Sequence, residues 1–205
     1  RHRESYPLFR NDKRKGLQLM CTVPQLFDLD LKDIDLVAVD LETYDPNLKS
    51  KGSGAIRKDG FVTGIAIATK KQTLYFPIAH AMTDNLNVND TWEYLNEKLF
   101  KNKDIRKVFH NAIYDVCWIR SATGNMPQGQ LLDTMIAASV IDETRMKYSL
   151  DAISKEYLKE SKYKYDLAEK SLSEYGIKDP MSNMHKLPYS LVKDYAEQDV
   201  KLTLK

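Results

Sequence analysis

The chain has 205 residues, 42% hydrophobic and 29% charged, which suits one globular domain with a substantial core. No apolar run reaches the length of about eighteen residues needed to span a membrane, and the basic N-terminus RHRESYPLFRNDKRK lacks the apolar centre of a secretory signal, so neither a membrane partner nor secretion is expected. The net charge of +2, from 31 basic and 29 acidic residues, is too balanced to point by itself to nucleic acid, although residues 10–15 and 147–164 are lysine-rich. The chain opens on Arg1, as expected of a fragment or a processed chain, and Cys21 and Cys117, with no CxxC, read as free thiols of a reducing compartment.

Residues 1–35 read as a basic, irregular arm with at most one short helix. LVAVDLET, Leu36 to Thr43, then gives a short apolar run ending in Asp40, with Glu42 two positions on. The run predicts a strand buried on both faces, and alternation predicts that Asp40 and Glu42 project together from its end. The octapeptide alone is equally compatible with a strand ending in a solvated acidic loop. Residues 44–60 are dominated by Gly, Ser, Pro, Asn and Lys and predict a mobile loop. Phe61–Thr69 and Thr73–Ile78 predict a hairpin beside the first strand, with Pro77 marking an edge. Asn87–Asn102 predicts an amphipathic helix buried through Trp92, Leu95, Leu99 and Phe100. A strand over Lys107–His110 leads into a helix from Asn111 to about Ala122, stopped by Gly124. Leu131–Asp142 predicts a short strand passing into a helix. Ser149–Leu158 predicts a helix with Leu150, Ile153, Tyr157 and Leu158 on one face. Residues 159–186 read as polar helix and loop, and Pro188 opens a last helix. A meander followed by alternating strands and helices predicts an α/β mixed sheet covered on both faces. The first strand lies centrally beside the strand ending at His110, and ligands bind at the carboxyl ends of such strands.

Two helices carry acids where apolar residues belong. Asp115 shares the stripe of Ala112, Val116 and Ile119, and Asp199 shares that of Val192, Tyr195, Ala196 and Leu202. Singly, an acid on such a stripe is ordinarily a half-exposed residue at the rim of the core. Together with Asp40 and Glu42 they form an all-oxygen donor set, which suits Mg²⁺ or Mn²⁺ better than zinc. Such a set can hold two ions that stabilise the attacking and leaving oxygens of a phosphoryl displacement. Tyr195, one turn before Asp199, is a poor general base at its ordinary pKa and is better placed to orient a water.

With DLE at Asp40–Glu42, HNAIYD at His110–Asp115 and YAEQD at Tyr195–Asp199, the chain resembles the 3′→5′ exonuclease (proofreading) domain of family A, polymerase I-like DNA polymerases of phage or organellar type. These belong to the four-carboxylate exonuclease superfamily, in its tyrosine subclass; Asp194 stands where the histidine subclass would need histidine. The resemblance covers residues 36–205, including LLDTMIAASVID and SLDAISKEYL. It implies the ribonuclease H-like (DnaQ-like exonuclease) fold, with a mixed five-stranded sheet and helices on both faces. It implies Asp40, Glu42, Asp115 and Asp199 as ligands of two divalent ions, Mg²⁺ or Mn²⁺, and Tyr195 as the water-orienting residue. It further implies substrate contacts from Thr43, His110, Asn111, Tyr114, Lys147 and one of Tyr163 and Tyr165. The tyrosines fit packing roles equally well. The expected partners are a single-stranded DNA 3′ end and a polymerase domain of the same polypeptide. The expected place is the cytoplasm of a bacterial or phage-infected cell, or an organelle. No polymerase motif lies in the chain. A stand-alone RNA exonuclease of ribonuclease D type shares the same motifs, and a non-cleaving single-strand binding module is the reading outside enzymes.

Overall fold

The computed structural model describes residues 22–161 and 164–205. Its centre is a five-stranded sheet built on β1 (Leu36–Tyr44). β2 (Phe61–Ala68) pairs antiparallel with β1 and with β3 (Thr73–Pro77), which puts Pro77 on an edge strand. On the other side β4 (Arg106–Phe109) and β5 (Leu131–Asp133) run parallel to β1, completing the order β3-β2-β1-β4-β5. The mixed sheet is thus the one the strand pattern predicts.

β1 does not end at Asp40. Its pairing with β4 stops at Ala38–Val108, but its pairing with β2 continues to Tyr44–Phe61, with a register shift between Glu42 and Thr43. The antiparallel ladder therefore carries both acids well within a strand, beyond the point where β4 leaves β1. Alternation sorts the rest. Val37, Val39 and Leu41 share one buried core with Ile65, Ile67 and Phe76, while Ala38 shares the opposite core with Ala66, Ala68 and Tyr75. Asp40 and Glu42 fall on this second face, opposite Ala66 and Gly64.

The first core is closed by α3 (Val88–Leu95) and α4 (Ala112–Thr123). Asn87 caps α3 by accepting from Asp90 N at 3.1 Å, and a wider turn over Asn96–Phe100 prolongs it, burying Trp92, Leu95, Leu99 and Phe100. Gly124, at φ 74°, ends α4. Leu29 and Ile34 are buried in this core too, behind a short 3₁₀ turn at Leu26–Asp28, so the stretch before β1 packs onto the sheet. The second core is closed by α8 (Tyr189–Leu204), entered through Pro188. Ala38, Ala66, Ala68 and Gly64 give that face little height, which lets Val192, Tyr195, Ala196 and Val200 come close.

Two expectations need correction. Residues 44–60 are not a bare loop. They hold the one-turn helices α1 (Leu48–Lys51) and α2 (Gly54–Arg57). Asp45 Oδ2 accepts from Gly54 N at 2.8 Å, and the Arg57 guanidinium spans Asp45 at 3.2 Å and Asp59 at 2.7 Å. The polar groups that predict a loop satisfy one another instead of water. In α6 (Leu150–Tyr157), Leu150 and Ser154 are buried, while Tyr157 is 47% exposed under the Arg145 guanidinium, 5.2 Å from its ring centre. The helix is short and touches α8, and Ile153 and Leu158 stay half-buried at the rim of the core. The remaining helices are α5 (Thr134–Ile141) and α7 (Lys164–Tyr175). Cys117 is a free, half-buried thiol, and Cys21 lies outside the described residues. Among the described residues no helix is long and apolar enough to cross a membrane.

Candidate active site

Beyond Ala38, β1 has no β4 beside it, and α4 begins where β4 stops. Asp115 fills that gap. It lies in the first turn of α4, is 4% exposed, and its Oδ1 accepts from Leu41 N at 3.0 Å. On the other face α8 lays Tyr195 and Asp199, one turn apart and both buried, against the Asp40–Glu42 face of β1.

All five side chains line one cavity of about 380 Å³. Thr43, His110, Asn111 and Tyr114 line it as well. Tyr114 joins cavity to scaffold, since its hydroxyl meets Thr43 Oγ1 at 2.7 Å and donates to Asp45 Oδ2 at 3.3 Å. Leu48, Leu150, Met181 and Met184 supply an apolar wall that sequence reasoning missed. Leu48, 41% exposed, carries a readable signal, as a large apolar residue flanked on both sides by polar ones. The methionines sit in the featureless polar segment before Pro188 and carry none. Lys147 is exposed on the loop before α6 and is not among the lining residues. Tyr163 and the Tyr165 side chain lie outside the described residues.

The electrostatics of the cavity are one-sided. Among the described residues no Lys or Arg lines it. Burial, and then the negative charge of Asp40, pushes the Asp115 carboxyl well above its ordinary range, against the lowering effect of the Leu41 N–H. Burial, followed by Glu42, Asp199 and Asp40, holds the Tyr195 phenol far above its ordinary value. A neighbouring cavity of about 300 Å³ between α7 and α8 also touches Tyr195, but there the acids are matched. Glu197 stands 3.5 Å from Lys193 and 3.8 Å from Lys201. Concentrated negative charge favours a bound cation, and the all-oxygen donor set fits a hard divalent ion. The acids share a wall rather than a finished cage. Among the described residues, no three His, Cys, Asp or Glu side chains stand close enough together to ligate one ion.

The sequence model of the 3′-5′ exonuclease family of DNA polymerase A type matches residues 25–205. A DNA-directed DNA polymerase of Pseudomonas phage M6 is 33% identical over 173 residues, 82% of this chain. The chain spans 25% of that polymerase's length. Among solved structures, Trypanosoma brucei RNase D in complex with RNA U12 superposes with a TM-score of 0.62 at 16% identity, over 85% of this chain and 54% of that one. Brucella melitensis NrnC with bound Mg²⁺ gives a TM-score of 0.55 at 23% identity, over 84% of this chain and 69% of the other. These two likenesses establish the ribonuclease H-like exonuclease fold. The sheet order, the family match along nearly the whole described length and the phage polymerase relative agree, and the chain belongs to the 3′-5′ exonuclease family of family A DNA polymerases.

Proposed function

We propose that this exonuclease domain removes 5′-mononucleotides from single-stranded or mismatched DNA 3′ ends, and that it proofreads for a polymerase domain in the same polypeptide. One observation carries the reading: carboxylates from β1, α4 and α8 meet Tyr195 on the wall of a single cavity. Asp40, Glu42, Asp115 and Asp199 would hold two divalent ions, Mg²⁺ or Mn²⁺. Bound there, the ions would stabilise charge on the attacking and leaving oxygens of the displacement.

The chain's own groups have separable tasks. Tyr195 keeps its proton at any physiological pH, because burial and its acidic neighbours oppose ionisation. Its hydroxyl therefore orients a water and does not take the water's proton. Thr43, His110, Asn111 and Tyr114 give the cavity a polar wall for the terminal nucleotide, and Leu48, Leu150, Met181 and Met184 give an apolar wall for its sugar and base. Lys147, exposed on the loop before α6, would meet a phosphate further along the strand, and Tyr165 would stack on a base.

Likeness to an RNase D that binds RNA favours a second reading, an RNA exonuclease. The deciding experiment gives the domain 5′-labelled DNA and RNA strands of one sequence with Mg²⁺. Stepwise shortening of DNA from the 3′ end, faster than of RNA, supports proofreading. Faster RNA shortening supports the second reading, and binding without shortening in Mg²⁺ or Mn²⁺ rejects both.

A further inference from the structure

We propose that Asp133, outside the cavity lining, is a positioning residue that fixes Asn111 against the nucleic-acid strand by clamping the starts of α4 and α5 with one carboxylate. The nature of the strand rests on the exonuclease reading above.

Asp133 ends β5 and occupies the N-cap of α5, where Oδ1 accepts from Met135 N at 2.8 Å and Ile136 N at 3.4 Å. An N-cap ordinarily serves its own helix. Here the same carboxylate reaches a second helix, with Oδ1 accepting from Asn111 N at 3.1 Å and Oδ2 from Ala112 N at 2.7 Å. Those bonds are surplus to capping α5. They fall on Asn111 at φ 70° and ψ 54°, a left-handed conformation that asparagine tolerates better than most residues and that the two bonds hold in place. The next residue extends the clamp. Thr134 Oγ1 meets His110 Nδ1 at 2.8 Å and donates to Phe109 O at 3.3 Å. The β5–α5 junction thus holds the chain from Phe109 to Ala112. Asp115 has its own tether at Leu41 N; the hydrogen bonds of the clamp fall on Asn111 and Ala112, and Asp133 reaches the acid only through its charge.

An asparagine opens one side of the clamp. D133N keeps Oδ1 for Met135 N, Ile136 N and Asn111 N, so α5 stays capped, but it sets its NH₂ group against the N–H of Ala112, the residue that follows Asn111. The test measures retention of a fluorescein-labelled single-stranded DNA 3′ end in EDTA, where no hydrolysis occurs, for wild type, D133N, N111A and the double variant. D133N and N111A should each weaken binding about tenfold, the scale of one lost polar contact, and the double variant should lose no more than either alone. A merely structural Asp133 would give losses that multiply, or none, and either result overturns the proposal, as does a wild type that retains no strand. If D133N does not fold, D133S is read in its place, since serine caps α5 and cannot span to α4; failure of both to fold also overturns it. A wild type that binds in EDTA yet does not cleave in Mg²⁺ sinks the nuclease reading and leaves the Asp133 result standing.

Discussion

Asp40 and Glu42 are backbone neighbours of Ala66 and Gly64, and their cost to the fold is borne by a ladder that would form without them. Replacing both with alanine should therefore abolish cleavage while a folded domain still retains single-stranded DNA, because the proposed polar and stacking contacts involve other residues. Wild-type degradation by the double variant would dismiss both as ligands. Tyr195→Phe keeps the ring packed and removes only the hydroxyl. A single preorganised contact is worth up to roughly 2.7–4 kcal/mol, so single-turnover hydrolysis should slow by as much as about a hundred- to a thousandfold without stopping, and an unchanged rate would reduce Tyr195 to packing. Away from the site, His80 is buried between the Tyr75 hydroxyl, 2.7 Å from Nε2, and the Leu187 carbonyl, 2.9 Å from Nδ1, and burial lowers its pKa to about 4. The unfolded chain takes up this proton near pH 6.5 and the folded one only near 4, so stability is complete above pH 6.5 and falls as pH drops towards 4. The loss is at most about 3 kcal/mol. Urea midpoints across that window should decline for wild type and flatten for His80→Gln; parallel slopes would show that other groups dominate. The motif acids were legible in the sequence because each interrupts an apolar pattern. Asp133 was not, because an acid before a helix looks like any N-cap and its second helix is brought near only by the sheet.

At the scale of elements, periodicity revealed what packing demands and missed what hydrogen bonding permits. The apolar run of β1 stops at Val39, yet the strand continues to Tyr44 because β2 goes on offering partners. Residues 44–60 have the composition of a solvated loop, but the fold gathers their charges around Arg57 and hangs Tyr114 from Asp45. Close approach between elements is equally invisible in one dimension. Gly64 faces the Tyr75 ring, and a Cβ there would lie 2.1 Å from the tyrosine oxygen. That ring is fully buried, hydrogen-bonded to His80 and stacked on Tyr189 with centroids 6.0 Å apart, so it cannot step aside. Gly64→Ala should destabilise the domain by about 1–3 kcal/mol, read as a lower urea midpoint. An unchanged midpoint would mean that the second core repacks more freely than its density suggests.

For the whole molecule, the discriminating quantity is the state of the DNA end. On the proposed function the cavity takes a splayed terminus, and unpairing costs a few kcal/mol for a matched base and less for a mismatch. Initial rates at one salt concentration should rise from matched duplex to terminal mismatch to single strand, with little dependence on the base, and equal rates on duplex and single strand would end the proofreading reading. The near-neutral charge of the chain limits its own affinity for DNA, so a tethered polymerase domain would have to supply primer ends at high local concentration. The placement of the acids along the chain adds a temporal consequence. Asp40 and Glu42 lie on the first strand, while Tyr195 and Asp199 lie on α8, which also covers the second face of the sheet. A ribosome makes β1 early and α8 last of the described helices. Until α8 leaves the exit tunnel, the nascent chain has a bare alanine-lined sheet face and three of the four acids, lacking Asp199 and Tyr195, so on the proposed reading the element that completes its core also completes its site.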